Sequence, residues 1–264
     1  MQVISPVIIR GTGSFAPEAV MTNDDFAAYL DTTDQWITQR TGIKTRHKAS
    51  EGESTVSIAA EAGRRAIENA GLKPADIDLL IVCTATPEVP IPSTACILQN
   101  ELGLGEVPAF DLSAACSGLL YGMIVAGNML CADGYKNALI VGAETLTRYL
   151  DYEDRTTCVL FGDGAGAVVL SPSTDPERGF LYTNLGADGK LWDYIWTPAG
   201  GAREPATLRT VNEKLHFIRM RGRELYKVAV VKMQSLIDTA LKATDLTADD
   251  LALIIPHQSN LRII

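Results

Sequence analysis

The sequence predicts an α/β protein built from two related halves, and three features carry that prediction. Short apolar runs alternate with small-residue helices through the first half of the chain. Some of those runs are apolar at every position, the pattern of a strand covered on both faces. One stretch also recurs 174 residues further on, where His257 falls against Cys83.

The elements follow in order. Pro6 to Arg10 is apolar and reads as a short strand, with Gly11 and Gly13 expected to form a turn after it. From about Ser54, Val56, Ala59, Ala60, Gly63, Ile67 and Ala70 fall on one helical stripe, and Gly71 is its stop. Leu79 to Cys83 is a continuous apolar run. Val107 to Leu112 predicts the next strand, Ser117 to Cys131 a helix, and Ala138 to Val141 and Ala165 to Leu170 two more strands. FGDGAGAVVL (161–170) lacks the Lys-Ser/Thr of a phosphate loop and leads into a strand, so it reads as a glycine turn between strands. The polar run Ser171 to Arg178 reads as a linker, which divides the chain at 1–171 and 178–264.

The recurrence aligns GLKPADIDLLIVC (71–83) with DLTADDLALIIPH (245–257) without a gap. Each copy is expected to be a helix end, a turn and a buried strand. Ile264 then corresponds to Pro90, so counterparts of the later strands are missing. The second half is expected to be incomplete, either short in itself or a fragment.

Composition narrows the function. The chain has 264 residues, 47% of them hydrophobic, and a formal net charge of −9, which argues against a nucleic-acid binder. Its start lacks a basic segment followed by a long apolar run, and Leu79 to Cys83 is far short of the roughly 20 residues of a membrane span. The expectation is a cytoplasmic protein with no membrane partner. Five cysteines (83, 96, 116, 131 and 158) form no paired framework, and the three histidines have no partner at ligand spacing, so neither disulfides nor a metal is expected. Most of the cysteines should be buried as small hydrophobes.

Cys116 is different. In FDLSAACSGLL it stands between a buried strand and a helix, where free N–H groups and the macrodipole favour a thiolate. Lowering a thiol pKa by two units requires about 2.7 kcal/mol, whereas a helix terminus supplies at most about 2 kcal/mol. A second activating group is therefore expected, most naturally a histidine. The alternative is a buried small residue like the other cysteines. The candidate partner is His257 in IIPHQSNLR, placed past the carboxyl end of a predicted strand where ligands meet open α/β sheets. A structural, hydrogen-bonded histidine is the alternative there. His216 falls on a predicted strand and His47 in a polar loop. Trp36 and Arg40, four apart on one helical face, could stack a base and hold a phosphate, or simply form a surface helix. Arg155, Lys227 and Arg262 are phosphate candidates or solvated charges.

Taken together, TNDDF, DQWITQRTGIKTRH, PSTACILQNELG, AFDLSAACSGLLYG, FGDGAGAVVL and PHQSNLRII resemble ketoacyl-acyl carrier protein synthase III, the initiating condensing enzymes of type II fatty-acid synthesis. The phrases stand in family order over nearly the whole chain. The resemblance implies a thiolase fold of two βαβ-rich halves in five αβαβα layers, a homodimer, and no cofactor beyond coenzyme A thioesters as substrates. It implies that Cys116 takes the acyl group from a short acyl-CoA, and that His257 assists decarboxylation of malonyl-acyl carrier protein. Trp36 and Arg155 would sandwich the adenine, Arg40 and Thr32 would lie near the phosphates, and Asn260 near the pantetheine. Lys227 and Arg262 would face the acidic carrier protein, and Ile91 would line the partner subunit's acyl pocket. Two departures stand out. The family's catalytic asparagine lies beyond the histidine, whereas this chain ends seven residues after His257, and Asp154-Arg155-Thr156 stands where the family often reads Asp-Arg-Gly. A related acyltransferase or ketosynthase of secondary metabolism, and an inactive fragment, are the other readings.

Overall fold

A computed structural model describes residues 3–132 and 134–264. In chain order the strands and helices are β1 (Val7–Phe15), β2 (Val20–Thr22), α1 (Asn23–Ala27), α2 (Asp34–Thr41), β3 (Thr45–His47), α3 (Thr55–Asn69), β4 (Leu79–Cys83), α4 (Thr94–Leu102) and β5 (Ala109–Leu112). Then come α5 (Gly118–Ala132), β6 (Ala138–Thr145), β7 (Asp163–Pro172), β8 (Ile195–Trp196), α6 (Leu208–Asn212), β9 (Arg219–Met220) and α7 (Gly222–Thr244). They fall into two compact units that interleave along the chain. The first takes residues 1–19, 47–145 and 163–183; the second takes 20–46, 146–162 and 184–264.

The first unit is a three-layer α/β/α sandwich on a five-stranded sheet, in the order β1-β7-β6-β4-β5. β4, β5 and β6 are parallel, whereas β7 runs against both β6 and β1. The sheet is thus mixed, although its strands carry the unbroken apolar runs of strands covered on both faces. Such runs report burial on both faces, and burial does not fix strand direction. Alternation along β4 builds both cores. Leu80 and Val82 pack with Leu139, Val141 and Val169 under α3 and α4. Leu79, Ile81 and Cys83 pack with Ile140 and Leu170 under α5. Burying each such aliphatic side chain stabilises the fold by about 1.5–3 kcal/mol.

Two glycines correct the first predicted turn. β1 does not stop at Arg10 but continues through Gly11 and Gly13 to Phe15. A Cβ at Gly13 would lie 2.2 Å from the Ala62 carbonyl oxygen, and one at Gly11 2.5 Å from that of Ala66. These glycines exist so that α3 can lie directly on the strand. β7 likewise begins at Asp163, so Gly164 and Gly166 of FGDGAGAVVL are strand residues and not a turn.

The second unit is built differently. It has two-stranded ribbons (β2 with β3, β8 with β9), short helices and the long α7, and no second large sheet among the described residues. Three of the five expected layers are therefore present, all in the first unit. The second unit's core is Phe26, Ile37, Leu150, Cys158, Val159 and Ile218. The Arg46 guanidinium is buried there, donating to the Val159 carbonyl at 2.9 Å and 2.5 Å and to Asn23 Oδ1 at 2.5 Å. Only Cys83 and Cys158 are buried; Cys96, Cys116 and Cys131 are exposed, which corrects the expectation that most would be core residues.

The internal recurrence is visible in backbone geometry up to a point. α3 is followed by Gly71 in the left-handed region, and α7 by Asp245 in the same region. Each then leads to a one-turn 3-10 helix, Pro74–Asp76 and Ala248–Asp250. In each, the acid closes the turn on a backbone N–H, Asp76 on Lys73 at 2.7 Å and Asp250 on Thr247 at 2.9 Å. The match ends there. Leu79–Cys83 is a buried strand, whereas Leu253, Ile254 and Ile255 are exposed at 73%, 47% and 81% and form no strand. A strand needs a neighbour to satisfy its N–H and C=O groups, and no described strand lies beside this segment.

Candidate active site

β5 delivers the chain to Leu112, and the chain then turns sharply through a 3-10 helix, Ala115–Ser117, before α5 begins at Gly118. Cys116 is the middle residue of that turn. Ala115 before it adopts a positive φ of 44°, a conformation that costs a residue with a side chain about 1–2 kcal/mol. The turn is closed by the Ser117 amide, which donates to the Ala114 carbonyl at 3.1 Å. α5 sits deep on the sheet because Gly122 has no side chain: a Cβ there would lie 2.7 Å from Cys83 Sγ and 2.8 Å from Ile140 Cγ2. Ala115–Ala132 has the length and apolarity of a membrane span, contrary to the sequence expectation. In the fold, however, Gly118, Gly122, Ala126 and Leu130 are buried, and the helix covers one face of the sheet.

The electrostatics differ from the expected picture. Cys116 is exposed as a residue, yet crowding around its sulfur pushes the thiol pKa above its ordinary value, and the charge of Glu144 adds to the rise. A hydrogen bond from its own backbone opposes the rise only in part. The helix terminus does not win here, because α5 starts two residues after the sulfur and burial penalises the charge. Thiolate formation needs help from outside this turn.

Glu144 is a residue that sequence reasoning missed. It lies near the carboxyl end of β6 and accepts hydrogen bonds from the Ala85 amide and the Thr86 hydroxyl, both at 2.7 Å. Burial raises its pKa, and these bonds counter the rise. Its signal was present in ALIVGAET, as a lone acid ending an apolar strand. Two strands away in the sheet, Asp111 on β5 accepts from the Thr94 and Ala95 amides at the start of α4, both at 2.7 Å.

His257 belongs to the second unit, whereas Cys116 belongs to the first. It follows Pro256 in an irregular segment and not a strand, and partial desolvation lowers its pKa, so the ring is neutral near pH 7. The other histidines have structural partners. His216 lies in a turn before β9, with Nε2 2.9 Å from Thr210 Oγ1; His47 ends β3, with Nδ1 2.6 Å from the Pro17 carbonyl.

Within the second unit, Trp36 gathers two cations. Arg40, one turn along α2, places its guanidinium carbon 4.3 Å from the indole centroid, and Arg155 places its own at 5.4 Å. Arg155 also binds the Asp31 carbonyl and pairs with the Asp31 carboxylate at 3.1 Å. Arg40 makes no ion pair among the described residues. The Thr32 hydroxyl is buried without a hydrogen-bond partner. Asn260 Oδ1 accepts from the Arg262 amide at 2.9 Å, and Tyr226 Oη donates to the Arg262 carbonyl at 3.0 Å. That contact brings Lys227 and Arg262 to one end of α7, both exposed. Ile91, in the loop between β4 and α4, is 86% exposed.

Comparison with known proteins gives a consistent result. Residues 110–189 match the family model described as 3-oxoacyl-[acyl-carrier-protein] synthase III. The chain is 46% identical over 258 residues to the beta-ketoacyl-[acyl-carrier-protein] synthase III of Natranaerobius thermophilus, covering 97% of this chain and 78% of that protein. Against the protein of the same name from Caldanaerobacter subterraneus subsp. tengcongensis, identity is 48% over 256 residues, covering 97% and 77%. The crystal structure of 3-oxoacyl-[acyl-carrier-protein] synthase III from Aquifex aeolicus superposes with a TM-score of 0.87 at 42% identity, covering 98% of this chain and 78% of that one.

Proposed function

The chain belongs to the 3-oxoacyl-[acyl-carrier-protein] synthase III family, thiolase-fold acyltransferases that prime type II fatty-acid synthesis, and from that premise we propose how its residues divide the work. Cys116 is the nucleophile. Its thiolate attacks the carbonyl of a short acyl-CoA, most simply acetyl-CoA; a new thioester forms and coenzyme A leaves as a thiol with the displaced proton. Malonyl-acyl carrier protein then loses CO2, and the resulting enolate attacks the acyl-Cys116 carbonyl. A carbon–carbon bond forms, the cysteine sulfur leaves, and the product is a 3-oxoacyl-acyl carrier protein.

His257 supports both steps. Near pH 7 its neutral ring can accept the Cys116 proton in the first and donate a hydrogen bond to the enolate oxygen in the second. One such donor typically supplies about 3–4 kcal/mol to the transition state. Coenzyme A is bound at Trp36, Arg40, Arg155 and Thr32, with Asn260 toward the pantetheine arm. Two guanidiniums against one indole and an unpartnered buried hydroxyl support this. Arg155 occupies the indole face that the adenine would take, so binding moves it outward to cover the base. Lys227 and Arg262 receive the acidic carrier protein. Ile91 lines the acyl pocket of the partner in a cytoplasmic homodimer, and no cofactor beyond the thioester substrates takes part. The stretches 1–171 and 178–264 derive from one duplicated unit, which the paired left-handed residues and 3-10 turns support.

The observation that carries the proposal is the placement of Cys116, exposed on a strained turn between a sheet strand and a helix packed against that sheet. Incubation with labelled acetyl-CoA tests it. Label should stay covalently on the parent protein and vanish from Cys116→Ala. Equal label on both would sink the nucleophile assignment.

A further inference from the structure

The half-buried carboxylate of Glu144 has no part in the mechanism above, yet its surroundings are built for it. The sheet register sets Cys83 of β4 against Leu112 of β5 on one side and Gly142 of β6 on the other. The carboxyl ends of three parallel strands thus lie side by side. Beyond Leu112 comes the Cys116 turn, beyond Cys83 the loop toward α4, and two residues beyond Gly142 stands Glu144. Two strand spacings, about 10 Å, separate the outer pair.

Every partner of Glu144 lies on the loop after β4, and every bond is aimed at an ionised carboxylate. The Ala85 amide donates to Oε1. The Thr86 hydroxyl accepts from the Thr145 amide at 2.9 Å, so its proton is directed to Glu144 Oε2. The Thr84 hydroxyl stands 3.5 Å from the same oxygen. A second tie holds the same stem: Thr55 donates to the Thr86 carbonyl at 2.7 Å and meets Thr145 Oγ1 at 2.9 Å. Other ionisable groups surround these strand ends. Burial pushes the Cys83 thiol up to about 12, Asp111 is held by α4, Glu88 on the same loop accepts from the Val56 amide at 2.8 Å, and Asp163 of β7, opposite Thr145, accepts from the Ala49 amide at 2.7 Å.

We propose that Glu144 is a positioning residue of the acyl-transfer site, clamping the stem of the β4–α4 loop to the end of β6 and fixing a negative charge beside the nucleophile's turn. The charge keeps the resting sulfur protonated, so that Cys116 reacts when substrate and base are in place and less so with stray electrophiles. The inference rests on the acyl-transfer reading for its purpose but not for its measurement.

The test uses Glu144→Gln, which keeps the shape and removes the charge, and Glu144→Ala, which removes the clamp. The pH dependence of Cys116 alkylation by iodoacetamide should move about 0.5–1 pH unit lower in Glu144→Gln, as expected for removal of a like charge at this range. Hydrogen exchange of amides 84–88 should accelerate in Glu144→Ala, a change confined to that loop. An unmoved alkylation midpoint in Glu144→Gln overturns the proposal, whatever becomes of Glu144→Ala. The alkylation requires no thioester substrate. If acetyl-CoA fails to label the parent, the acyl-transfer reading falls while the Glu144 result stands.

Discussion

At the scale of single residues, the proposed chemistry turns on a thiol whose immediate neighbours oppose its ionisation. Burial and the Glu144 charge both raise the Cys116 pKa, so on its own the residue is a poor nucleophile near neutrality. His257, the partner proposed for it, is displaced in the complementary sense. Desolvation lowers the His257 pKa, so the ring stays neutral, and able to accept a proton, to a lower pH than an ordinary histidine near 6.5. The sign for activity follows. As pH falls, acyl transfer to Cys116 should hold through the ordinary histidine range and decline only below it, as the ring finally protonates and can no longer accept the thiol proton. A pH–rate profile of covalent labelling by acetyl-CoA checks this, and a decline centred above 6.5 would contradict it. His257→Ala should lower the condensation rate by roughly 10²–10³-fold, the usual cost of one lost donor to a developing oxyanion. Single-turnover measurement on pre-acylated protein would isolate that loss from acyl transfer.

At the scale of elements, close contact between backbones explains positions that residue type alone leaves ambiguous. Gly13→Ala puts a Cβ 2.2 Å from a carbonyl oxygen of α3, and neither backbone can yield cheaply. A loss of about 2–3 kcal/mol is expected, which for a chain of this size is roughly a 5–10 °C lower Tm. Gly166→Ala in β7 has open space around the added methyl and should change Tm little. Thermal unfolding followed by circular dichroism separates the two, and equal Tm losses would refute the packing argument. The same pair shows what a sequence can and cannot say. A glycine in a turn and a glycine under a helix look alike in one dimension, so GTG at 11–13 and DGAG at 163–166 both read as turns and are both strand. Apolar runs without a break, as at Leu79–Cys83, were legible because burial on two faces leaves no room for polar side chains. LALII at 251–255 carries a similar run, yet it is exposed and unpaired, because a strand is made by its neighbour as much as by its own residues. Cys116 was legible for a further reason: strand, small residues and helix bracket it in sequence as they do in space. Glu144 was not, since its partners lie about 60 positions away on another loop.

At the scale of the whole molecule, charge organises encounter. With a net charge of −9 the protein repels an acidic partner in general, so productive approach must be local and must rely on the few exposed cations that no neighbouring carboxylate neutralises. Lys227 and Arg262 meet that description at one end of α7; neither forms an ion pair among the described residues, and the Tyr226–Arg262 contact keeps them together. Reversing both charges, Lys227→Glu with Arg262→Glu, should raise KM for malonyl-acyl carrier protein about tenfold or more at low salt, where steering across a surface is strongest. Near 1 M salt the Debye length falls to about 3 Å, so parent and variant should converge. Covalent labelling by acetyl-CoA, which needs no carrier protein, serves as the control for folding and for the nucleophile. A KM difference that persists unchanged at high salt would assign the loss to a lost short-range contact, and no KM difference at all would move the carrier's landing site to another face. On the proposed reading, charge separates two halves of one reaction: Cys116 governs whether the acyl group is taken up, and the cationic end of α7 governs how often the second substrate arrives to receive it.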